Sequence, residues 1–176
     1  MYDELNRGAH VTTRHNTISS AIRHNIRQLE LFANLSDDEI DILVKHAKIR
    51  SLDEDEALFH EGDNGEFFAI VIDGRVEITK LAENDTPVAI ASLTHGATLG
   101  EMALIDRERR SASAIATEPS TFFVLSRQSF DKLIEQSPRC GVKLIQRIAA
   151  ILCSNVRRTS NLFADSIEPC LRQQPF

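Results

Sequence analysis

The sequence has little that would build a metal centre, a disulfide frame or a membrane span. Its three cysteines, Cys140, Cys153 and Cys170, are odd in number and far apart. That fits reduced thiols better than a disulfide framework or a zinc site. Two of them fall in a helical stretch, where a small apolar packing role is the default. His60 and His95 stand alone, and no His-x-His pair occurs, so the clustered imidazoles a metal-dependent enzyme needs are missing. A nucleophile elbow, a P-loop, a Cys-His pairing and an iron–sulfur cysteine cluster are missing too. These gaps favour a binding module over an enzyme, with no metal and no catalytic cofactor. No apolar run is long enough to span a bilayer. The Met-Tyr-Asp-Glu start lacks the form of a signal peptide, so a cytoplasmic protein that makes no membrane contact is expected. Positive charge is in deficit: the net charge is −6, which argues against a general nucleic-acid binder. There is no internal repeat, so a tandem pair of sites is not expected.

What is present suits one globular core. The chain has 176 residues, 42% hydrophobic and 26% charged, enough for a single domain. Residues 1–16 are polar, with Arg7, His10, Arg14 and His15, and read as a flexible arm. The domain is expected over 17–163, with a tail over 164–176. Asn16 is placed to cap a helix over 16–30, in which Ile18, Ala21, Ile22, Ile26 and Leu29 share a face. Arg23 and Arg27 then fall on its solvated side. Ser36 and Glu39 form a capping box ahead of Ile40, Leu43 and Val44. From Ala47 the apolar period changes from helical to alternating. Residues 58–59, 67–72, 76–81, 88–93, 113–116 and 122–125 read as short strands. The turn residues Gly62-Asp63-Asn64-Gly65, Asp73-Gly74, Glu83-Asn84-Asp85 and His95-Gly96 separate them. Many short strands with regular turns indicate a sandwich or a rolled barrel. Ser126 is placed to cap a helix with Phe130, Leu133 and Ile134 inward, and Pro138 suits the start of another that runs to about Leu162. Along that last helix Ile145, Ile148, Leu152, Asn155, Thr159 and Leu162 form a heptad-like seam. It suits either a homodimer through residues 138–162 or one helix lying on its own barrel.

The chemistry concentrates in residues 98–114. Gly100 lets the backbone approach a ligand or take a strained angle. Met102-Ala103-Leu104-Ile105 suits a short helix whose free amides face an anion. Arg110 supplies a permanent forked cation suited to phosphate, and Glu101 is an acceptor-only group suited to sugar hydroxyls. Together they suggest a sugar phosphate. The competing reading of Arg110 is a surface ion pair with Asp106 or Glu108.

This stretch resembles the phosphate-binding cassette of the cyclic-nucleotide-binding domain, found in kinase regulatory subunits, nucleotide-gated channels and bacterial catabolite activators. Gly100, Glu101, Arg110 and Ser111 match its pattern, and Glu61-Gly62-Asp63 and residues 67–74 extend the likeness over residues 30–165. The resemblance implies a mainly β, α+β fold: a jelly-roll β-barrel flanked by N-terminal helices and a long C-terminal helix. It implies ribose binding by Gly100 and Glu101, and phosphate binding by Arg110, Ser111 and the amides of Met102 and Ala103. It places the base against Ile78, Ile90 and Ala91, with Asn155 either reading the base edge or fixing helix register. Arg109 stands where a proline is common and Leu99 where a phenylalanine is frequent. The run Arg107-Glu108-Arg109-Arg110 leaves a ligand with two phosphates, such as cyclic di-GMP, as an alternative. Cyclic AMP is the ligand expected first, with cyclic GMP left open by Ser111. About a dozen residues follow Leu162, too few for a DNA-binding domain. The expected function is therefore a stand-alone sensor that signals to an unknown effector protein or through a dimer. Its rival is a scaffold that keeps the barrel and binds no nucleotide.

Overall fold

The computed structural model describes residues 20–171, and side chains within residues 24–165. The expected arm and the Asn16 cap lie outside the described residues. Helix α1, Ser20–Gln28, ends earlier than expected, because Leu29 turns to an extended ψ of 130° and a single 3-10 turn, Glu30–Phe32, follows. Helix α2, Asp37–His46, opens on the capping box as read: Ser36 accepts from the Glu39 amide, and Glu39 accepts from the Ser36 amide at 2.8 Å.

The chain then enters a roll of two antiparallel four-stranded sheets. The strands are β1 (Lys48–Leu52), β2 (Ala57–Phe59), β3 (Phe67–Asp73), β4 (Val76–Leu81), β5 (Pro87–Leu93), β6 (Thr98–Leu99), β7 (Ser113–Ala116) and β8 (Ser120–Ser126). One sheet runs β1-β8-β3-β6 and the other β2-β7-β4-β5. Sequence reasoning did not set out β1, although the alternation from Ala47 runs through it, and it missed β6, a two-residue pairing of Thr98 and Leu99 with Ile70 and Ala69. It is too short to show a period.

β3 is buried on both faces, which is why it reads as a continuous apolar run. Phe68 and Ile70 join Phe123 and Leu125 of β8 against the helices. Ala69 and Val71 point the other way, into the roll, with Leu58, Phe59, Val76, Leu99, Ala114 and Phe122. Two cores thus share one strand pair. Phe32 meets Phe123 edge-on at 5.5 Å and ties the 3-10 turn to that pair.

Between β6 and β7 lies helix α3, Glu101–Asp106. After β8 come α4 (Arg127–Gln136) and α5 (Pro138–Leu171). Ser126 caps α4 by accepting from the Ser129 amide at 3.1 Å. Helix α5 corrects the expected end near Leu162. No proline or glycine interrupts it between Gly141 and Pro169, so it takes in residues 164–171 of the expected tail. Its apolar seam divides. Ile148 is buried and Leu152 partly buried in the chain's own core, whereas Ile145 and Leu162 are exposed. Lys143 bonds Glu39 at 2.6 Å and Arg147 bonds Glu30 at 2.8 Å, which pins the first half of α5 to the N-terminal helices. The Lys143 bond is also the main reason the Glu39 carboxyl titrates below its ordinary value. Burial pushes the Cys140 thiol up to about 11, so this cysteine acts as an apolar packing group. Among the described residues, no helix is long and apolar enough to cross a membrane.

Candidate functional site

The loop from β6 to β7 turns on two left-handed residues, Gly100 (φ 75°) and Arg107 (φ 64°), which bracket α3. Gly100 is needed twice over. Its positive φ is costly for any other residue, and a Cβ there would run into the Arg110 guanidinium. Gly100→Ala is expected to destabilise the fold by at least about 1 kcal/mol and to displace Arg110. Thermal melts and a nucleotide titration check both effects.

Arg110 is 4% exposed, so the surface ion pair to Asp106 or Glu108 is excluded. Its guanidinium sits 4.1 Å from the ring centroid of Phe59 and 4.6 Å from that of Phe67. Both rings face the interior of the roll, and they meet each other edge-on at 6.1 Å. The two Nη atoms donate to the carbonyls of Gly100 (3.1 Å) and Phe67 (2.6 Å). Nε is buried with no partner. Burial pulls the arginine pKa down, opposed by the carboxylates of Asp63 and Glu101. The main chain of Arg110 is clamped by the loop before β3: its amide donates to the Asp63 carbonyl and its carbonyl accepts from the Gly62 amide, both at 2.9 Å.

Glu101 opens α3 and is 7% exposed. Desolvation raises its pKa, against the pull of its own backbone amide and of Arg110. A desolvated acid and a buried arginine with an unpaired Nε both cost stability. An unpaired buried donor costs about 1–3 kcal/mol, roughly what a desolvated cation–π contact returns.

The other expected positions are less concentrated. Ser111 is exposed, and its carbonyl accepts from Lys80 Nζ at 2.7 Å. Lys80 also bonds Glu61 at 2.9 Å, and Glu61 takes the Leu81 amide at 3.0 Å. This ties the β4 hairpin to the cassette exit. Met102 is half exposed and Ala103 buried. Ile78 packs on the interior cluster and pairs with the half-buried Ala91. Ile90 sits at a register shift and is 57% exposed. Asn155 does not reach these strands. It lines a groove of about 660 Å³ between α3 and α5, together with Glu101, Met102, Ile105, Leu152 and Phe163. Arg107 and Arg109 are exposed, and Arg109 Nη1 is engaged by the Gly62 carbonyl at 2.8 Å.

Sequence reasoning missed Phe59 and Phe67 as the walls around Arg110. The signal was available: Phe67 shares its face of β3 with Ala69 and Val71, the face that lines the roll.

A small β-roll that holds a buried arginine between two aromatic rings, with a buried acid at the start of the short helix preceding it, fits a binding domain for a small anionic ligand bearing hydroxyls. The chain belongs to the cyclic nucleotide-binding domain family, which residues 49–137 match. It is 29% identical over 127 residues to the cyclic AMP receptor protein of Thermus thermophilus, covering 72% of this chain and 57% of the relative. It is 31% identical over 114 residues to human cGMP-dependent protein kinase 2, covering 64% of this chain and 15% of the kinase. The chain thus spans little over half of the first relative and a small part of the second. Among solved structures, a cyclic nucleotide-binding domain from Methylobacillus flagellatus superposes with a TM-score of 0.69 at 29% identity, covering 88% of this chain and 83% of that one. The catabolite activator protein of Thermus thermophilus gives 0.68 at 28% identity, with 78% and 62% covered.

Proposed function

We propose that this chain is a cyclic-nucleotide sensor with no catalytic step of its own, and that its ligand is cyclic AMP. The observation that carries this reading is Arg110: a guanidinium walled by two aromatic rings, with a buried donor left unpaired. A cyclic phosphodiester carries one negative charge and two free oxygens, which matches one guanidinium edge and the first-turn amides of Met102 and Ala103. The Ser111 amide or hydroxyl completes the cradle. Glu101, as a carboxylate, accepts the ribose 2′-hydroxyl, and the backbone at Gly100 lies alongside the sugar. Ile78 and Ala91 form one wall for the base, with Ile90 at the rim. Asn155 lines the groove between α3 and α5 and not this wall, so it reads a purine edge only once α5 moves toward the strands. The engagement of Arg109 by Gly62 leaves it poorly placed for a second phosphate and favours a mononucleotide over cyclic di-GMP.

Signalling follows from where α5 lies. Its first half is pinned to α2 and the 3-10 turn, while Val156, Leu162 and Phe163 are 65%, 63% and 65% exposed. Ligand that draws on the cassette shifts the position of this distal half, which meets an effector protein or a second copy. The test is calorimetric titration of nucleotide-free chain with cyclic AMP, cyclic GMP and cyclic di-GMP. Micromolar or tighter binding (about −8 kcal/mol) to cyclic AMP is expected. No heat from any of the three would leave the scaffold reading.

A further inference from the structure

The two ends of α3 are held by two different arginines. Arg110 Nη1 takes the Gly100 carbonyl at its start. At its close, Arg127 Nη1 donates to the Leu104 carbonyl at 3.2 Å, and Nη2 donates to Ala103 and, at 3.0 Å, to Gly65. The Ala103 carbonyl also accepts from the Arg107 amide at 3.2 Å, whereas last-turn carbonyls otherwise run short of intrahelical partners, and a cation there meets the negative end of the helix dipole. The planar fork lets one side chain serve three carbonyls from two segments.

Those segments are in close contact. A Cβ on Gly65 would collide with Ala103 and would lie 2.9 Å from the Glu108 carbonyl. The Arg127 amide adds a bond to the Glu66 carbonyl at 2.7 Å. Arg127 is also the first residue of α4. Helix α4 in turn packs tightly on α5: Leu133 and Leu144 are fully buried, and a Cβ on Gly141 would lie 2.6 Å from Ile134 Cγ1. A six-residue helix is thus gripped at one end by the candidate ligand-binding arginine and at the other by the residue that starts the C-terminal helices.

We propose that Arg127 is the positioning residue through which displacement of α3 passes into α4 and α5. Its role as a relay of ligand binding rests on the nucleotide reading above. When phosphate draws on Arg110, the Gly100 carbonyl loses its hold and α3 moves as a unit. The two bonds from Arg127 to the far end of α3 then move the start of α4, and the close α4–α5 packing carries the shift onward. Coupling of this kind has a typical size of about 5- to 150-fold in an equilibrium.

The test compares the intact chain with Arg127→Met, which keeps the aliphatic stem, and Arg127→Lys, which keeps the charge without the fork. Cyclic AMP affinity and amide hydrogen exchange of α3, α4 and α5 are measured with and without ligand. In Arg127→Met, affinity is expected to stay within about tenfold of wild type, while the ligand-induced protection of residues 127–152 falls at least about fivefold. Arg127→Lys is expected to recover part of it. A merely structural role would lower the melting temperature and leave that protection intact, and a wild-type response in Arg127→Met overturns the proposal. If Arg127→Met does not fold, Arg127→Lys carries the same comparison. If the wild-type chain binds no cyclic AMP, the ligand reading fails by itself, and the grip is decided in the free protein. Exchange of α3 amides at least about fivefold faster in Arg127→Met supports it, and equal exchange overturns it.

Discussion

Arg110→Ala is expected to weaken cyclic AMP binding by about 30-fold or more, because truncating one partner of a buried charge pair costs about 2–5 kcal/mol. The fold should survive. The side chain contributes two carbonyl hydrogen bonds and its contacts with Phe59 and Phe67. Against these stand the desolvation of a cation and an unpaired Nε. The two sides are of similar size, so the melting temperature should move by only a few degrees, at about 2–4 °C per kcal/mol. Arg110→Lys should not rescue binding, since an ammonium lacks the planar edge that stacks between two rings and offers parallel donors. Calorimetry with parallel thermal melts separates the effects. Retained affinity in a folded Arg110→Ala chain would remove the phosphate role.

Glu101→Gln is expected to stabilise the empty protein while weakening the ligand. Burial raises the Glu101 pKa above its ordinary value, so the folded state holds this proton more tightly than the unfolded chain does. The stability tied to that proton is fully present below the unfolded pKa and is lost as pH rises through the folded one. At neutral pH the ionised group is therefore a burden. Its neutral isostere should raise stability by about 1 kcal/mol and flatten the pH dependence of the melting temperature between mildly acidic and neutral pH. The same change removes a charged acceptor for the ribose hydroxyl, which is worth about tenfold or more in affinity. An unchanged melting temperature with weakened binding would show that burial of Glu101 carries no cost. Loss of stability would reverse its sign.

The division between what the sequence shows and what it hides has physical causes. The strands were legible because turn residues punctuate short runs rich in apolar and β-branched residues. The Ser36–Glu39 capping box and the Ser126 cap were legible because they are local, with partners three residues apart. The cassette was legible as a cluster because its glycine, acid and arginine lie within a dozen residues. What stayed hidden depends on long-range packing. Phe59 and Phe67 meet Arg110 from two strands of different sheets, and Arg127 reaches back 24 residues to Ala103. Leu29 gave no sign that its extended backbone would end the first helix. The α5 seam left open whether it packs on its own barrel or on a second copy. Its period is real, and Ile148 and Leu152 join the chain's own core, whereas Ile145 and Leu162 stay exposed.

The most direct test of the central claim follows the Arg110 Nε–H resonance by 15N-detected NMR while cyclic AMP is added. A donor buried without a partner in the free chain should move downfield and exchange more slowly with solvent once a phosphate oxygen accepts from it. Ligand binding that leaves this resonance unchanged, while other cassette signals shift, would contradict the assignment of Arg110 to the phosphate.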